Sequence, residues 1–382
     1  MITAIVTIVM FLVMVSLHEF GHYIVARLLD FKILEYAIGF GPVIFKSKKS
    51  EIQYSVRCIP LGGFCKFEGE DEESDDPRAF NNQAVWKRML VVVAGGVSNV
   101  ILGFLLFLLI VPMTSPILTN TVENVVENSY IEQAGIQPGD KIVKINGHRI
   151  SFYSDISLYT QSFKKDEQAQ ITVKRNGEKL DFTVKPTEQI IVQKYTEDGI
   201  EYTDTINGHE SSEFYEYSDK IKKDEEKVGT TSTNTRYIIG FTPHREKVTF
   251  ANVWGEAWNE TRFVVKLVYR SVGEMVVGKV GVDQMSGPIG IVNEVNNAVN
   301  SGSESALYVL NLIALLTINL GVFNLLPIPA LDGGRLLFML IELIRRKPIP
   351  PEKEGMVHAA GMLLLLLLVV FVSFNDVMRL IK

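Results

Sequence analysis

The sequence predicts a multi-pass α-helical membrane protein with four transmembrane helices, a β-hairpin region on the cytoplasmic side and an extracytoplasmic β-rich domain. Hydrophobic residues make up 47% of the 382 residues. They concentrate in four windows, each long enough to cross a hydrocarbon layer of about 30 Å at about 1.5 Å per helical residue. These windows are 2–29, 89–111, 306–326 and 356–374.

The first window is predicted to be a retained helix over residues 1–29. A signal peptide has a basic amino-terminal region and a small-residue cleavage site. This segment has neither, and it continues directly into His18, Glu19 and His22.

Lys and Arg residues predict the orientation, because short loops rich in these residues stay in the cytoplasm. Two loops qualify, residues 30–88 and the segment around 345–347. His18 then lies about 24 Å down the first helix from the outer surface, a few ångströms inside the cytoplasmic boundary. The polar cluster is therefore expected within the membrane.

Residues 30–88 are predicted to form a β-hairpin or small sheet, from short β-patterned runs at 40–68, followed by an acidic stretch. The simplest interpretation of that stretch, residues 68–76, is a solvated linker. Cys58 and Cys65 are the two cysteines of the chain, and we expect free thiols. A second transmembrane helix over 89–112 follows.

Residues 113–248 are predicted to form the β-rich domain. Residues 138–140 read Pro-Gly-Asp, a turn signal, residues 141–146 alternate like a half-buried strand, and Asn146-Gly147 indicates a hairpin. The polar stretch after Pro186 predicts a solvated hairpin or mobile insertion.

Residues 249–305 are predicted to contain an amphipathic helix and a Gly-Pro-Ile-Gly linker. Apolar positions over 250–277 recur at three- and four-residue spacing. The helix either lies on the membrane or the helix bundle, or packs on its own domain. A third transmembrane segment, 306–346, carries the sequence Leu-Asp-Gly-Gly, and a fourth helix covers 355–376.

His18 and His22 are four residues apart, so both imidazoles project from one face of a helix and can converge on one ion. Glu19 is placed to hold a water molecule rather than the metal. This is the arrangement of zinc metallopeptidases, in which the glutamate transfers the proton. A polar core cluster is the alternative, but ionisable groups inside a membrane cost several kcal/mol unless they are paired or functional.

A catalytic zinc takes three protein ligands, and Asp332 is the acid at a matching depth. The alternative role for Asp332 is an N-cap of the following helix. Formal charge favours the ligand role, because Zn2+ with neutral His18 and His22 and two carboxylates, Asp332 and Glu19, sums to zero. A neutral cluster is tolerable in a low dielectric.

The segments HEFGH (18–22) and NLLPIPALDGG (324–334) resemble the site-2 protease family of intramembrane zinc metalloproteases, particularly its bacterial RseP-type subgroup. The likeness continues in order through IPLGGFCKFEGE, AGIQPGDKIVKING and SGPIGI, and only the stretch from about 188 to 235 matches no recognisable family motif. One departure is GGVSN (95–99), where the family commonly has a Gly-Pro pair before an asparagine. Gly96 should relax any kink there.

The resemblance implies that His18, His22 and Asp332 ligate one catalytic zinc ion, that Glu19 is the catalytic base and that Asn324 binds the substrate backbone. It implies a membrane-associated β-hairpin region and a PDZ domain outside the cell, which either filters substrates by size or binds ligands; we favour filtering. The implied location is a bacterial plasma (inner) membrane, with the active site near the cytoplasmic face.

The implied partners are the lipid bilayer and single-span membrane substrates, such as anti-sigma factors or remnant signal peptides. An upstream site-1 type protease would cut these substrates first, in regulated intramembrane proteolysis. No nucleic-acid partner is expected, because no basic stripe is present. Two alternatives remain open: a membrane zinc carrier, and a non-catalytic PDZ scaffold with structural zinc.

Overall fold

The computed structural model describes residues 2–381 except 50, 71, 115, 128, 161–162, 166, 207, 217–227, 279–280, 282–286 and 303–304. The chain divides into two compact units. The first comprises Met1–Ile110 with Glu260–Lys382, and the second comprises Val111–Asn259. Ser286 of the SGPIGI motif and part of the stretch 188–235 lie outside the described residues.

Four helices in the described part of the chain are long and apolar enough to cross a membrane, as predicted. Their candidate spans are Ile2–Leu28, Val85–Met113, Ser305–Asn324 and Glu352–Arg379. The helices of the first unit are α1 (Ile2–Leu28), α2 (Val85–Ile110), α6 (Pro288–Val299), α7 (Ser305–Asn324), α8 (Asp332–Arg345) and α9 (Pro351–Ile381). The third predicted segment thus consists of two helices separated by a loop over 325–331.

Helix α6 corrects the prediction that the Gly-Pro-Ile-Gly sequence (287–290) is a linker, because Pro288, Ile289 and Gly290 are its first residues. Pro288 begins the helix, where its missing N–H costs no hydrogen bond. Val295 of α6 is buried with Met10 and Met14 of α1, and apolar residues of α7 pack against the same cluster. The apolar face of α6 therefore packs against both α1 and α7.

Small residues let α1, α2 and α7 approach closely. A Cβ atom on Gly21 would lie 2.4 Å from the carbonyl oxygen of Ala94, and one on Gly321 would lie 2.5 Å from that of Gly96. Close backbone contact of this kind is typical of membrane helices. Helix α2 runs without interruption through Gly96, so the departure from the Gly-Pro pattern serves packing.

Strands β1 (Ile33–Lys49) and β2 (Ile52–Phe67) form the predicted hairpin, which begins earlier than residue 40. Both strands bend, because residues 35–38 pair with 63–66 on one side and with 53–56 on the other. The hairpin is therefore a sheet of four short segments. The segment 63–67 lies at one edge of this sheet.

The acidic stretch 68–76 is not simply a solvated linker. Glu70 forms an ion pair with Arg335 of α8, and Asp76 Oδ2 lies 2.9 Å from Lys32 Nζ. The Lys32 hydrogen bond and the Arg78 N–H hold the pKa of Asp76 below its usual value. The stretch thus fastens the end of the hairpin to the helices.

The second unit is rich in strands. Its main sheet has the order β12-β3-β4-β6-β7, with β5 pairing to β4. Asn146 and Gly147 have φ values of 48° and 79° and form the predicted turn between β4 and β5. The elements of this part are β3 (Ile117–Val125), α3 (Tyr130–Gln133), β4 (Lys141–Ile145), β5 (His148–Arg149), α4 (Tyr153–Thr160), β6 (Ala169–Arg175), β7 (Glu178–Val184) and β12 (Phe241–Glu246).

The described residues of the stretch 187–238 form a second sheet, so the prediction of a solvated hairpin or mobile insertion was too simple. Its order is β10-β9-β8-β11, all antiparallel. The strands are β8 (Thr187–Tyr195), β9 (Gly199–Ile206), β10 (His209–Glu216) and β11 (Thr231–Ile238). Backbone pairing stabilises this sheet although its sequence is polar.

Helix α5 (Phe250–Val276) is amphipathic, as its sequence pattern predicts. Ala257, Val264 and Val268 are buried on one face, while Trp254 and Trp258 are more than half exposed on another. The location of α5, either on the membrane or the helix bundle or against its own domain, stays a prediction.

Candidate metal centre

Helix α1 carries the two histidines on one face. Their ring centroids lie 4.8 Å apart at an interplanar angle of 85°, and the two Nε2 atoms are 3.2 Å apart. Both residues are buried, with 6% and 8% of their surface exposed. Helical spacing alone thus brings two nitrogen lone pairs to one point.

Asp332 completes this cluster from the start of α8. Its Oδ2 atom lies 3.2 Å from His18 Nε2 and 3.4 Å from His22 Nε2. The N-cap of α8 is Leu331, and Asp332 is the first helical residue, so the alternative N-cap role does not hold. Gly333 permits the approach, because a Cβ there would lie 2.0 Å from the Leu326 carbonyl oxygen.

The three atoms fit a zinc ion. Tetrahedral zinc with ligands at about 2.0–2.1 Å has ligand-to-ligand edges of about 3.3 Å. The measured edges between His18 Nε2, His22 Nε2 and Asp332 Oδ2 are 3.2, 3.2 and 3.4 Å. Asp332 Oδ2 is also buried without a hydrogen-bond donor. A buried carboxylate oxygen without a donor is costly unless a cation partners it.

Gly95 of α2 leaves room for the imidazoles. A Cβ at this position would lie 2.3 Å from His22 Nε2 and 2.9 Å from His18 Cε1. Any side chain at residue 95 would therefore displace the histidines or occupy the space in front of their nitrogens.

The far nitrogen of each histidine also has a partner. His22 Nδ1 lies 2.8 Å from the Val91 carbonyl oxygen, and His18 Nδ1 lies 3.4 Å from the Asn99 amide. If Nε2 binds metal, Nδ1 carries the proton and needs an acceptor. The atom of Asn99 that faces His18 Nδ1 is Nδ2, and Asn99 Oδ1 is buried without a hydrogen-bond partner, so a rotation of the amide would give both this oxygen and the Nδ1–H a partner.

Sequence reasoning assigned no role to Asn99 or Val91. Asn99 is completely buried in an apolar helix. That sequence feature, an amide in the middle of a predicted membrane span, could have marked it as functional. The Val91 carbonyl carries no such signal.

Glu19 lies next to the hairpin edge. The backbone N–H of Cys65 interacts with its carboxylate, and a Cβ on Gly63 would lie 3.5 Å from Glu19 Cγ. The Tyr36 hydroxyl donates to the Ser16 carbonyl oxygen at 3.0 Å. Burial and the nearby Glu19 charge raise the pKa of Tyr36 to about 12. The hydroxyl therefore stays protonated and can donate the hydrogen bond that joins β1 to α1.

Asn324 is the last residue of α7, and its Nδ2 atom lies 3.3 Å from His18 Nε2. All five candidate site residues are thus brought to one place. Among the described residues, His18, His22 and Asp332 form the single group of three or more potential metal-binding His, Cys, Asp or Glu side chains. The described part of the chain adds no fourth side chain to that group.

Similarity to known proteins supports the family that the sequence motifs predicted. The model of peptidase family M50 matches residues 6–368. A protein of Clostridium acetobutylicum, provisionally named a zinc metalloprotease, is 35% identical over 374 residues, covering 98% of this chain and 96% of the relative. Zinc metalloprotease RasP of Bacillus licheniformis is 28% identical over 464 residues, covering 99% of each chain.

Zinc metalloprotease RasP of Geobacillus kaustophilus is 27% identical over 456 residues, with 97% of each chain covered. The likeness to these relatives runs over nearly the entire length of the chain. The apolar helices, together with the family, indicate a membrane protein. The chain therefore belongs to peptidase family M50, the site-2 protease family of zinc metalloproteases, as its motifs predicted.

Proposed function

We propose that this chain is an intramembrane zinc metalloprotease that hydrolyses peptide bonds within transmembrane segments of single-span membrane proteins or remnant signal peptides. One observation carries the proposal. The two Nε2 atoms and Asp332 Oδ2 form a triangle with zinc-like edges, and both histidines belong to the apolar helix α1, which is long enough to span a membrane. Peptide hydrolysis at this position would act on substrate segments in the bilayer.

His18, His22 and Asp332 would hold one zinc ion. When bound, zinc supplies Lewis-acid polarisation of the scissile carbonyl and of the attacking water. Glu19, one residue after the first histidine, would accept the proton of that water and deliver it to the departing amine. The Val91 carbonyl would keep His22 in the tautomer that leaves Nε2 free, and the Asn99 amide would do the same for His18 with its oxygen turned toward Nδ1.

The substrate must be extended, because a peptide bond within a helix is hydrogen-bonded and shielded. The segment 63–67 is an edge of the hairpin sheet, and the Cys65 N–H already faces Glu19. Alternate residues of a strand direct their backbone groups to the same edge, so Gly63 would present its groups there as well. An extended substrate would pair with this edge, with the Asn324 amide as a further donor.

The second unit would be an extracytoplasmic PDZ domain that excludes substrates with large ectodomains. The support is the predicted orientation of the short basic loops and the β-rich fold of this unit. Substrates such as anti-sigma factors would reach the site after trimming by a site-1 type protease. The location would be a bacterial plasma membrane, with the site near its cytoplasmic face.

The test compares wild type with Glu19→Gln on a single-span model substrate in lipid vesicles. We expect cleavage by wild type and a loss of at least about 1,000-fold in Glu19→Gln, since the proton carrier is removed. Zinc content should be equal in both proteins. Glu73→Gln, which removes an exposed carboxylate, is the matched control and should cleave like wild type. Undiminished cleavage by zinc-loaded Glu19→Gln would disprove the general-base role.

A further inference from the structure

Helix α9 contacts the loop that leads to Asp332. The backbone N–H of Ala330 donates a hydrogen bond to His358 Nδ1 at 2.9 Å. Gly361, three residues further along α9, packs on the same loop, because a Cβ there would lie 2.4 Å from Pro329 Cβ. Residues three apart share one face of a helix, so one face of α9 is fitted to this loop.

The loop needs such support. Ala330 has a φ of 76°, in the left-handed region that strains every residue except glycine. Strained backbone persists only where surrounding contacts enforce it. The hydrogen bond to His358 acts on this residue itself, two positions before the carboxylate that approaches His18 and His22.

Phe338 and Glu354 also lie next to the imidazole of His358. The Phe338 ring lies 5.7 Å from the His358 ring, centroid to centroid. Glu354 Oε1 lies 3.8 Å from His358 Nε2. With Nδ1 accepting from Ala330, the proton of the neutral ring resides on Nε2, which faces this carboxylate. The ring is thus oriented for its role as an acceptor.

We propose that His358 is a positioning residue for the metal centre. By accepting the Ala330 N–H, it holds the loop in the conformation that sets Asp332 Oδ2 at its present distances from the two Nε2 atoms. Zinc–ligand distances in proteins lie within about 0.2 Å of their usual values, so a loop that relaxes its left-handed residue would move the carboxylate out of bonding range. This inference rests on the proposed function, because it presumes that Asp332 is a zinc ligand.

The test uses the full-length chain in detergent, with three substitutions at residue 358. Asn places Oδ1 the same number of bonds from Cα as Nδ1 of histidine, so His358→Asn keeps the acceptor. His358→Gln moves the amide one bond further out, and His358→Leu removes the acceptor. Zinc affinity is measured by competition with a chromophoric chelator, and kcat and KM are measured on the single-span substrate.

We expect zinc to bind about 10-fold or more weakly in His358→Leu and His358→Gln, the usual size of an outer-shell effect, and within about threefold of wild type in His358→Asn. The kcat should fall with zinc affinity while KM changes little. Equal zinc affinity in all variants, or equal losses in Asn and Gln, would overturn the proposal. If His358→Leu does not fold, the Asn and Gln pair decides. Wild type that binds no zinc would overturn the proposed function itself.

Discussion

His18 and His22 share one turn of a single helix, whereas Asp332 follows the loop over 325–331, which depends on contacts with helix α9 for its conformation. The spacing of the histidines is a property of the α-helix, and their rings need only Gly95 for space and acceptors at Nδ1. The aspartate depends on Gly333, on left-handed Ala330 and on His358 of α9.

The comparison shows that one metal centre combines two ligands placed by local helix geometry, the histidines, with one ligand placed by tertiary contacts, Asp332. We call these the histidine side and the aspartate side. A regular helix places i and i+4 side chains together wherever it forms. A loop with a strained residue holds its shape only while its neighbours remain in position. Zinc binding by the histidines should therefore be lost only when a substitution fills the space that their rings occupy. The position of Asp332 should also change when residues elsewhere in the fold are replaced.

The largest effect is expected on the histidine side, from Gly95→Ala. The added methyl group would lie 2.3 Å from His22 Nε2, a distance that no real contact permits, so the imidazole must leave the centre. We expect zinc affinity to fall by more than about 100-fold, beyond the range of outer-shell changes.

Gly273→Ala is the control for the Gly95→Ala measurement. Gly273 is also a helical glycine, and a Cβ there meets nothing within 4 Å. Chelator competition on both proteins separates a lost site from a general effect of glycine replacement. Unchanged zinc affinity in Gly95→Ala would contradict the described approach of α2 to the imidazoles.

An intermediate effect is expected from Asn99→Leu, which removes the amide oxygen that would accept from His18 Nδ1–H when Nε2 binds zinc. Zinc should bind about 10-fold more weakly, whereas Asn99→Asp keeps an oxygen in the same place and should stay within about threefold of wild type. Both variants are compared by zinc titration and by Tm. Equal weakening in the two would show that Asn99 acts by packing rather than by orienting His18.

The smallest effect is expected from Ala330→Gly on the aspartate side. Glycine relieves left-handed strain of about 1 kcal/mol but adds freedom to the unfolded loop that costs about 0.5–1 kcal/mol, so the two nearly cancel. Tm should therefore change little, and zinc affinity should stay within about threefold of wild type.

Ala330→Val should act in the opposite way, because a β-branched residue at a φ of 76° is severely strained. We expect a lower Tm and weaker zinc binding than in Ala330→Gly. If valine and glycine behaved alike, the left-handed conformation would not be required for placing Asp332.

Much of the candidate site could be predicted from sequence, because its key residue types sit at positions where their chemistry is costly. Histidines and a glutamate inside an apolar window indicate function, and Asp332 follows a helix-breaking Pro-x-Pro segment at a matching depth. The hairpin and the Asn146-Gly147 turn follow from local patterns. These signals depend on a few neighbouring residues only.

Other features had no local signal. Helix α6 looked like a linker because its apolar face is complete only when α1 and α7 are present. The second sheet of the second unit has a polar sequence whose strands are stabilised by one another. The sequence around His358 does not indicate its partner, because Ala330 is 28 residues away.

By itself, the sequence determined the four apolar spans, the two histidines and Glu19 on one helix turn, and the residues marking the family, since length, periodicity and residue type are local properties. Only the tertiary structure decided that Asp332 and Asn324 meet His18, a contact that in the case of Asn324 spans 306 positions of the chain. It also decided that Asn99 faces His18 Nδ1 and that α9 supports the Asp332 loop. The physical reason is that these contacts depend on how separate helices pack, which no single segment specifies.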